Sequence, residues 1–243
     1  MTNSSGSTSF AAPTTSKMRE LGGLREVPRL AANTPALVGL PRGSATVIAI
    51  PGYSTNDLVT LPLRSALRAL GHYTAGWGFG VNRAEVENLL ESVTAMVEAH
   101  VHATGKAANV IGWSNGGVFA REVARDRPDL IERVFTYGTP IFGGPKFTRG
   151  ANMYPPEEVE RISNVVDRRN EIPITRPITA FYSRRDHIVD WRACIDDFSP
   201  DCENIEVRST HASMGIDPDI WKLIALRLAQ SEPGSKVGGS STP

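Results

Sequence analysis

The chain has 243 residues, of which 40% are hydrophobic and 21% are charged. A chain of this length can bury one sizeable core. Lys+Arg and Asp+Glu both number 26, so the formal net charge is zero and no basic surplus favours binding to nucleic acid or to an anionic membrane. No run approaches the roughly 20 apolar residues that a membrane span requires. We therefore expect a soluble, cytoplasmic protein.

The two ends differ in composition from the rest. Residues 1–17 are rich in Ser, Thr and Ala, and they lack the basic start and apolar core of a secretory signal. Residues 231–243 have a similar composition. Both segments are predicted to be disordered tails, which leaves residues 18–230 as a single folded domain.

Between the tails, strand and helix patterns alternate. Strands are predicted near 45–50, 73–78, 107–113, 131–138, 177–183 and 204–210, and helices near 57–70, 84–103, 115–127, 189–197 and 217–230. This order is typical of an α/β fold, in which a mostly parallel sheet is flanked by helices and joined by right-handed crossovers.

The first strand ends in Pro51-Gly52-Tyr53-Ser54. Gly52 allows the backbone to bend, so that the N–H of Tyr53 can face a pocket, whereas Pro51 has no N–H to give. The simpler interpretation is a Pro-Gly turn before a helix capped by Asn56 or Asp57. The two interpretations are compatible, because the turn is what would aim the amide.

The third strand runs into a Gly-x-Ser-x-Gly box, Gly112-Trp113-Ser114-Asn115-Gly116, which is followed by a helical pattern. At such a corner the Ser hydroxyl projects above the sheet and the first helical amides lie beside it. Glycines are needed because a Cβ would collide in so tight a turn. The box predicts a nucleophile at Ser114, although a Gly-rich turn without chemistry is the competing interpretation.

Residues 142–175 interrupt the alternation. This stretch contains Gly-Gly-Pro-Lys and a Pro-started helix after Tyr154. A lid and a long surface crossover have the same composition, so the pattern favours neither.

A serine nucleophile needs a base and an acid from farther along the chain. Asp186 directly follows the fifth strand, and Asp190 is its first rival; Asp196, Asp197 and Asp201 lie farther on. An ion pair of Asp186 with a neighbouring arginine, Arg184 or Arg185, is the alternative role.

His211 follows the last strand and is the favoured base, unless it is a loop histidine bonded to backbone. The other histidines, His72, His100, His102 and His187, are less favoured by position. The two cysteines, Cys194 and Cys202, are close enough in sequence to close a loop as a disulfide, but spectator thiols are equally compatible, and two are too few for a zinc site.

Together these segments resemble the α/β-hydrolase superfamily, in particular its small bacterial esterase and lipase-like members. The resemblance extends from about Thr46 to Gln230 and rests on Pro51-Gly52-Tyr53, the Ser114 box, Tyr182-Ser-Arg-Arg-Asp186-His-Ile-Val189 and His211-Ala-Ser-Met-Gly-Ile-Asp-Pro218, in that order. It implies Ser114 as nucleophile, Asp186 as acid, His211 as base, and the backbone amides of Tyr53 and Asn115 as the oxyanion hole.

The resulting functional hypothesis is a serine hydrolase that cleaves a small carboxylic or lipid ester through an acyl-serine intermediate. Thioesterase, lactonase, acyltransferase, lyase and haloperoxidase chemistry are possible on the same scaffold, and a non-catalytic binding module is less compatible with an intact Ser, Asp and His set. No metal or organic cofactor is implied. The acyl length, the leaving group and the oligomeric state are left open.

Overall fold

The sheet is parallel throughout. The computed structural model describes residues 39–230 and the isolated position 28, so the expected tails, 1–17 and 231–243, lie outside the described residues. Within this part of the chain the strands are β1 (Thr46–Ile50), β2 (Tyr73–Ala75), β3 (Ala108–Trp113), β4 (Ile131–Tyr137), β5 (Ile178–Tyr182) and β6 (Cys202–Glu206). They form one sheet in the order β2-β1-β3-β4-β5-β6, with every neighbouring pair parallel.

This strand order places a reversal between β1 and β3, the second and third strands across the sheet. The chain moves from β1 outward to β2 and then returns to the opposite side of β1 to form β3. In open parallel sheets the crevice beside such a reversal, at the carboxyl ends of the strands, is where ligands bind. The segments that follow β1 and β3 meet at this point.

Helices cover both faces of the sheet. Their bounds in the described part are α1 (Asp57–Ala69), α2 (Val86–Thr104), α3 (Asn115–Asp126), α4 (Pro156–Asn170) and α5 (Pro218–Gln230). Apolar side chains of α1 and α5 pack on one face, and those of α2 and α3 pack on the other. Alternate residues of β1 divide between the two cores, because successive strand side chains point to opposite faces. The predicted α/β fold is confirmed.

Two predicted strands end earlier than expected. The predicted strand 73–78 stops at Ala75, because the carboxylate of Asp57 accepts the N–H groups of Trp77 (2.9 Å) and Gly78 (3.0 Å). The predicted strand 204–210 instead covers Cys202–Glu206. His211 therefore lies five residues beyond its strand, within a loop.

The predicted helix at 189–197 is wrong. The structure has only a short 3₁₀ turn, Trp191–Cys194, which begins at Asp190, whose side chain accepts the N–H of Arg192. Ile195 is extended, and the carboxylate of Asp196 accepts the next amides, those of Phe198 and Ser199. Local side-chain bonds to backbone thus replace the helical bonds that the pattern predicts.

Residues 142–175 form two 3₁₀ turns, Gly144–Phe147 and Arg149–Met153, followed by α4. Helix α4 lies in the connection between β4 and β5, and Arg161 and Arg169 tie it to α2 and α3 through ion pairs with Glu87 and Asp126. The two 3₁₀ turns are joined to the segment after β5 by an isolated antiparallel β-bridge between Thr148 and Val189. Helix α4 is thus a crossover helix, and a lid role for the preceding turns stays a prediction.

No helix among the described residues is both long enough and apolar enough to cross a bilayer.

Candidate active site

Ser114 occupies a strained corner between β3 and α3. Its backbone has φ 51° and ψ −122°, a region that non-glycine residues rarely adopt. A Cβ on Gly112 would overlap the backbone of Gly117, and a Cβ on Gly116 would overlap the carbonyl of Ile50. The turn is therefore possible only with glycines at these positions. The N–H of Ser114 donates to the carbonyl of Tyr137 (2.9 Å), which holds the corner against β4.

Asp186 and His211 lie together although 25 residues separate them. His211 Nδ1 is 2.7 Å from Asp186 Oδ2, and both residues are 5% exposed. The other carboxylate oxygen, Oδ1, accepts the N–H groups of Ile188 and Val189, each at 2.8 Å. One carboxylate oxygen is thus fixed by backbone, while the other holds the imidazole in one orientation.

The alternative partners of Asp186 are engaged elsewhere. Arg184 lies 3.3 Å from Glu206, and Arg185 donates to the carbonyl of Arg208 (3.2 Å). The rival carboxylate, Asp190, caps the following 3₁₀ turn and pairs with Arg192 (3.2 Å). Asp196 pairs with Arg121 on α3.

The remaining histidines lie in other settings. His72 Nδ1 accepts the N–H of Ala45 at the opposite end of the sheet (3.2 Å), and His100 bonds the hydroxyl of Tyr73 (2.9 Å). His102 is exposed on α2, and His187 directly follows Asp186.

Trp113 joins the nucleophile strand to the loop of the base. Its indole N–H donates to the carbonyl of His211 (3.2 Å), and the two rings are 5.8 Å apart between centroids. Gly138, which follows β4 with φ 61°, provides the space for the Asp186 and His211 pair. A Cβ at Gly138 would lie 2.9 Å from His211 Nδ1 and 3.3 Å from Asp186 Oδ2.

The predicted oxyanion amides lie on the two sides of this corner. A Cβ on Gly52 would be 3.3 Å from the Cβ of Ser114, so the loop after β1 passes directly beside the serine. Tyr53 follows Gly52, and its N–H has no hydrogen-bond acceptor within residues 39–230. Asn115 is the first residue of α3, where a helical N–H has no intrahelical acceptor.

Three residues that the sequence did not single out contribute to this arrangement. Two are Trp113 and Gly138, and the third is Asn82, whose side-chain amide donates to the carbonyl of Pro51 (2.8 Å). Gly138 follows a strand, and Asn82 ends the glycine-rich run Gly76-Trp-Gly-Phe-Gly-Val-Asn82, so both carried a local signal of an unusual backbone. Their partners lie in loops that follow other strands, which no local pattern reveals.

Both cysteines are free thiols in the structure. Burial, with the nearby carboxylates of Asp186 and Asp190, raises the pKa of Cys194 well above its ordinary value. Within the described residues, no group of three or more His, Cys, Asp or Glu side chains is arranged to hold a metal ion.

No protein-family model matches the chain, and no curated protein matches it by sequence. Solved structures do match. Mouse alpha/beta hydrolase domain-containing protein 10 is 18% identical, with a TM-score of 0.52, over 79% of this chain and 90% of that chain. The monoacylglycerol lipase of Paleococcus ferrophilus is 15% identical, with a TM-score of 0.58, over 79% and 97%. A structure of the metagenome-derived lipolytic enzymes LipS and LipT is 17% identical, with a TM-score of 0.61, over 79% and 95%.

The chain therefore has the α/β-hydrolase fold. Identities of 15% to 18% show the fold alone. The chemistry has to be argued from the residues at the carboxyl edge of the sheet.

Proposed function

We propose that this protein is a serine hydrolase that cleaves a carboxylic ester through an acyl-serine intermediate. The observation that carries the proposal is the coincidence of two arrangements at one edge of the sheet. In the first, Ser114 is held at a strained strand-to-helix corner. In the second, His211 is paired with Asp186 at 2.7 Å, and the backbone of His211 is bonded to Trp113, the residue that precedes Ser114. A decayed or purely structural site would need neither.

The proposed reaction has two stages. His211 takes the proton from the Ser114 hydroxyl as its oxygen forms a bond to the ester carbonyl carbon, and the Tyr53 and Asn115 amides hold the resulting oxyanion. The imidazolium, stabilised by Asp186, gives its proton to the leaving alcohol when the ester C–O bond breaks. Water then attacks the acyl group by the same steps, releasing the acid and restoring Ser114.

The decisive test is covalent labelling. A fluorophosphonate probe should modify the wild-type protein at Ser114, as mapped by peptide mass spectrometry, and hydrolysis of a short p-nitrophenyl ester should be lost in parallel. Ser114→Ala should abolish both, lowering turnover by several orders of magnitude without unfolding the protein. Ser199→Ala, in the loop before β6, is the matched control and should retain both activities. Near-normal turnover in folded Ser114→Ala would exclude the proposal.

The same ester assay can also identify the acyl acceptor. Product analysis with and without an added alcohol separates hydrolysis, which yields the free acid, from acyl transfer, which yields a new ester. We propose water, so the free acid should dominate at low alcohol concentration.

A further inference from the structure

A buried asparagine from another part of the chain makes several hydrogen bonds to the loop after β1. Asn82 is fully buried, and its side-chain amide donates to the carbonyl of Pro51 (2.8 Å). Its backbone carbonyl accepts the N–H of Ser54 (2.7 Å), and its backbone N–H donates to the carbonyl of Thr55 (2.8 Å). The remaining side-chain oxygen accepts the N–H of Ala84 (2.9 Å). Three of these four bonds join Asn82 to residues 51–55, which we call the oxyanion loop.

The other polar groups of the oxyanion loop are engaged as well. The carbonyl of Gly52 accepts both the N–H (3.2 Å) and the hydroxyl (2.7 Å) of Thr55. Ser54 is held at φ 61°, a costly conformation that its bond to Asn82 helps to retain. The N–H of Tyr53 is left without an acceptor within residues 39–230, and the preceding residue, Gly52, lies so close to Ser114 that an added Cβ would be 3.3 Å from the Cβ of Ser114.

Helix α3 blocks the opposite side of the same loop. The Cα of Gly116 lies so close to the carbonyls of Ile50 and Pro51 that a Cβ would overlap them. The Pro51 carbonyl therefore contacts Gly116 on one side and the amide of Asn82 on the other. These contacts restrain the Pro51–Gly52 peptide, and the two bonds from Thr55 to the Gly52 carbonyl restrain the next peptide, Gly52–Tyr53, which carries the N–H of Tyr53.

We infer that Asn82 is a positioning residue, which fixes the oxyanion loop so that the N–H of Tyr53 faces the oxygen that becomes charged when Ser114 is acylated. This inference rests on the proposed function. The donor must be aimed before the charge develops, since an oxyanion hole acts by being preorganised. Asn82 acts through the loop and makes no contact with substrate.

The test uses two variants that keep the backbone bonds of residue 82. Asn82→Asp keeps the shape but replaces the donor to Pro51 with an acceptor, and Asn82→Ser is too short to reach that carbonyl. Because removing one oxyanion donor costs about 10²- to 10³-fold in kcat, a misaligned donor should lower kcat by about 10- to 100-fold. KM for a p-nitrophenyl ester should change by less than about threefold, since the ground-state ester carries no negative oxygen.

The second readout separates positioning from general damage. A trifluoromethyl ketone forms a tetrahedral adduct with a catalytic serine, so its affinity should fall in proportion to kcat/KM in both variants. The matched control is Asn109→Asp, because the buried Asn109 amide also approaches a carbonyl of β1, that of Thr46 (3.4 Å), at the opposite end of the strand. This control should leave kcat and ketone affinity within about twofold of wild type. Circular dichroism and thermal unfolding establish that each variant is folded.

The outcomes are distinct. If the Asn82 variants and Asn109→Asp lose kcat equally, or if ketone affinity stays unchanged while kcat falls, Asn82 is only a structural residue and the inference is wrong. The same conclusion follows if Asn82→Asp does not fold and folded Asn82→Ser retains wild-type kcat. If the wild-type protein is neither labelled at Ser114 nor active on esters, the proposed function fails and this inference falls with it.

Discussion

At the scale of single residues, the carboxylates that follow β5 have different partners. Asp186 bonds His211, whereas Asp190 caps a turn and pairs with Arg192. The sequence predicts both as candidates, because both follow the same strand and they lie only four residues apart. The structure brings only the first to the histidine, and its catalytic role stays a proposal.

Asp186→Asn should lower turnover by about 10⁴-fold, the loss known for the best-studied triad, because an amide cannot stabilise the imidazolium. Asp190→Asn should lower turnover by less than about tenfold, since it disturbs only the cap and the arginine pair. Both are measured as kcat/KM on one ester with folded protein. Equal or reversed losses would move the acid to Asp190.

Gly138 offers a second test, which concerns space and not chemistry. Gly138→Ala places a Cβ 2.9 Å from His211 Nδ1, so the imidazole must shift by a few tenths of an ångström or more. We expect kcat to fall by about 10- to 100-fold, because small misplacements of catalytic groups are costly.

Gly105→Ala is the control for Gly138→Ala. Gly105 has a similar positive φ, 66° against 61°, but nothing lies within 4 Å of its added Cβ. It should lose about 1 kcal/mol of stability and no activity. An equal loss of kcat in both variants would attribute the effect to backbone strain alone.

The residues that could be predicted from sequence are those with a local signature. The box around Ser114, the Asp186 position after a strand and the Pro-Gly turn before Tyr53 are each legible in a few consecutive residues. Asn82 and Gly138 are different, because their importance comes from contacts with residues 27 to 73 positions away. Such contacts depend on strand order, which no short pattern specifies.

At the scale of elements, helix α3 is held by charges as well as by its apolar face. Arg121 is buried and pairs with the buried Asp196, which also accepts two amides of the loop before β6. The helix predicted at 189–197 is absent for a related reason. The carboxylates of Asp190 and Asp196 bind backbone N–H groups and arginines instead of facing solvent. A hydropathy pattern does not distinguish a buried, paired Asp from an exposed one.

This pair predicts an acid-sensitive contribution to stability. Burial by itself would raise the pKa of Asp196, but the charge and hydrogen bond of Arg121 hold that pKa below its ordinary value. A depressed folded pKa means that the contribution is complete above the unfolded pKa, near 4, and is lost as pH falls through the folded value.

Asp196→Asn should therefore cost about 3–5 kcal/mol at neutral pH, because it leaves Arg121 buried without its counter-charge. The variant should also show a shallower decrease of the free energy of unfolding below pH 4. Urea unfolding at a series of pH values measures both, with the exposed neighbour Asp197→Asn as control. A wild-type pH slope in folded Asp196→Asn would contradict the assignment.

At the scale of the whole molecule, the sheet assembles the candidate site from five separate strand ends. Pro51, Ser114, Gly138 and Ser183 each directly follow a strand, and His211 follows the sixth strand after a short loop. The strand and helix alternation predicts this parallel sheet, since it depends only on local periodicity. The domain limits, 18–230, remain a prediction.

A single cooperative domain can be tested through the two cysteines, which lie in different apolar clusters. Cys194 packs with Val189 and Ala193, whereas Cys202 packs against the core that α2 and α3 share with the sheet. Burial and the charge of Asp196 raise the pKa of Cys202 to about 12, and the pKa of Cys194 is raised as well. Because the thiolate is the reactive form, both should resist alkylation in the folded protein.

In native protein at pH 8, alkylation of each thiol by iodoacetamide should be at least about 100-fold slower than in denaturant, because unfolding restores an ordinary thiol pKa. If the described chain unfolds as one unit, Cys194 and Cys202 become reactive over the same range of urea concentration, with a midpoint equal to that of circular dichroism. Mass spectrometry of the two peptides measures each site separately. Labelling of Cys194 at a clearly lower urea concentration would instead define the segment around residues 142–198 as an independently opening unit, and the prediction of one cooperative unfolding unit would be wrong.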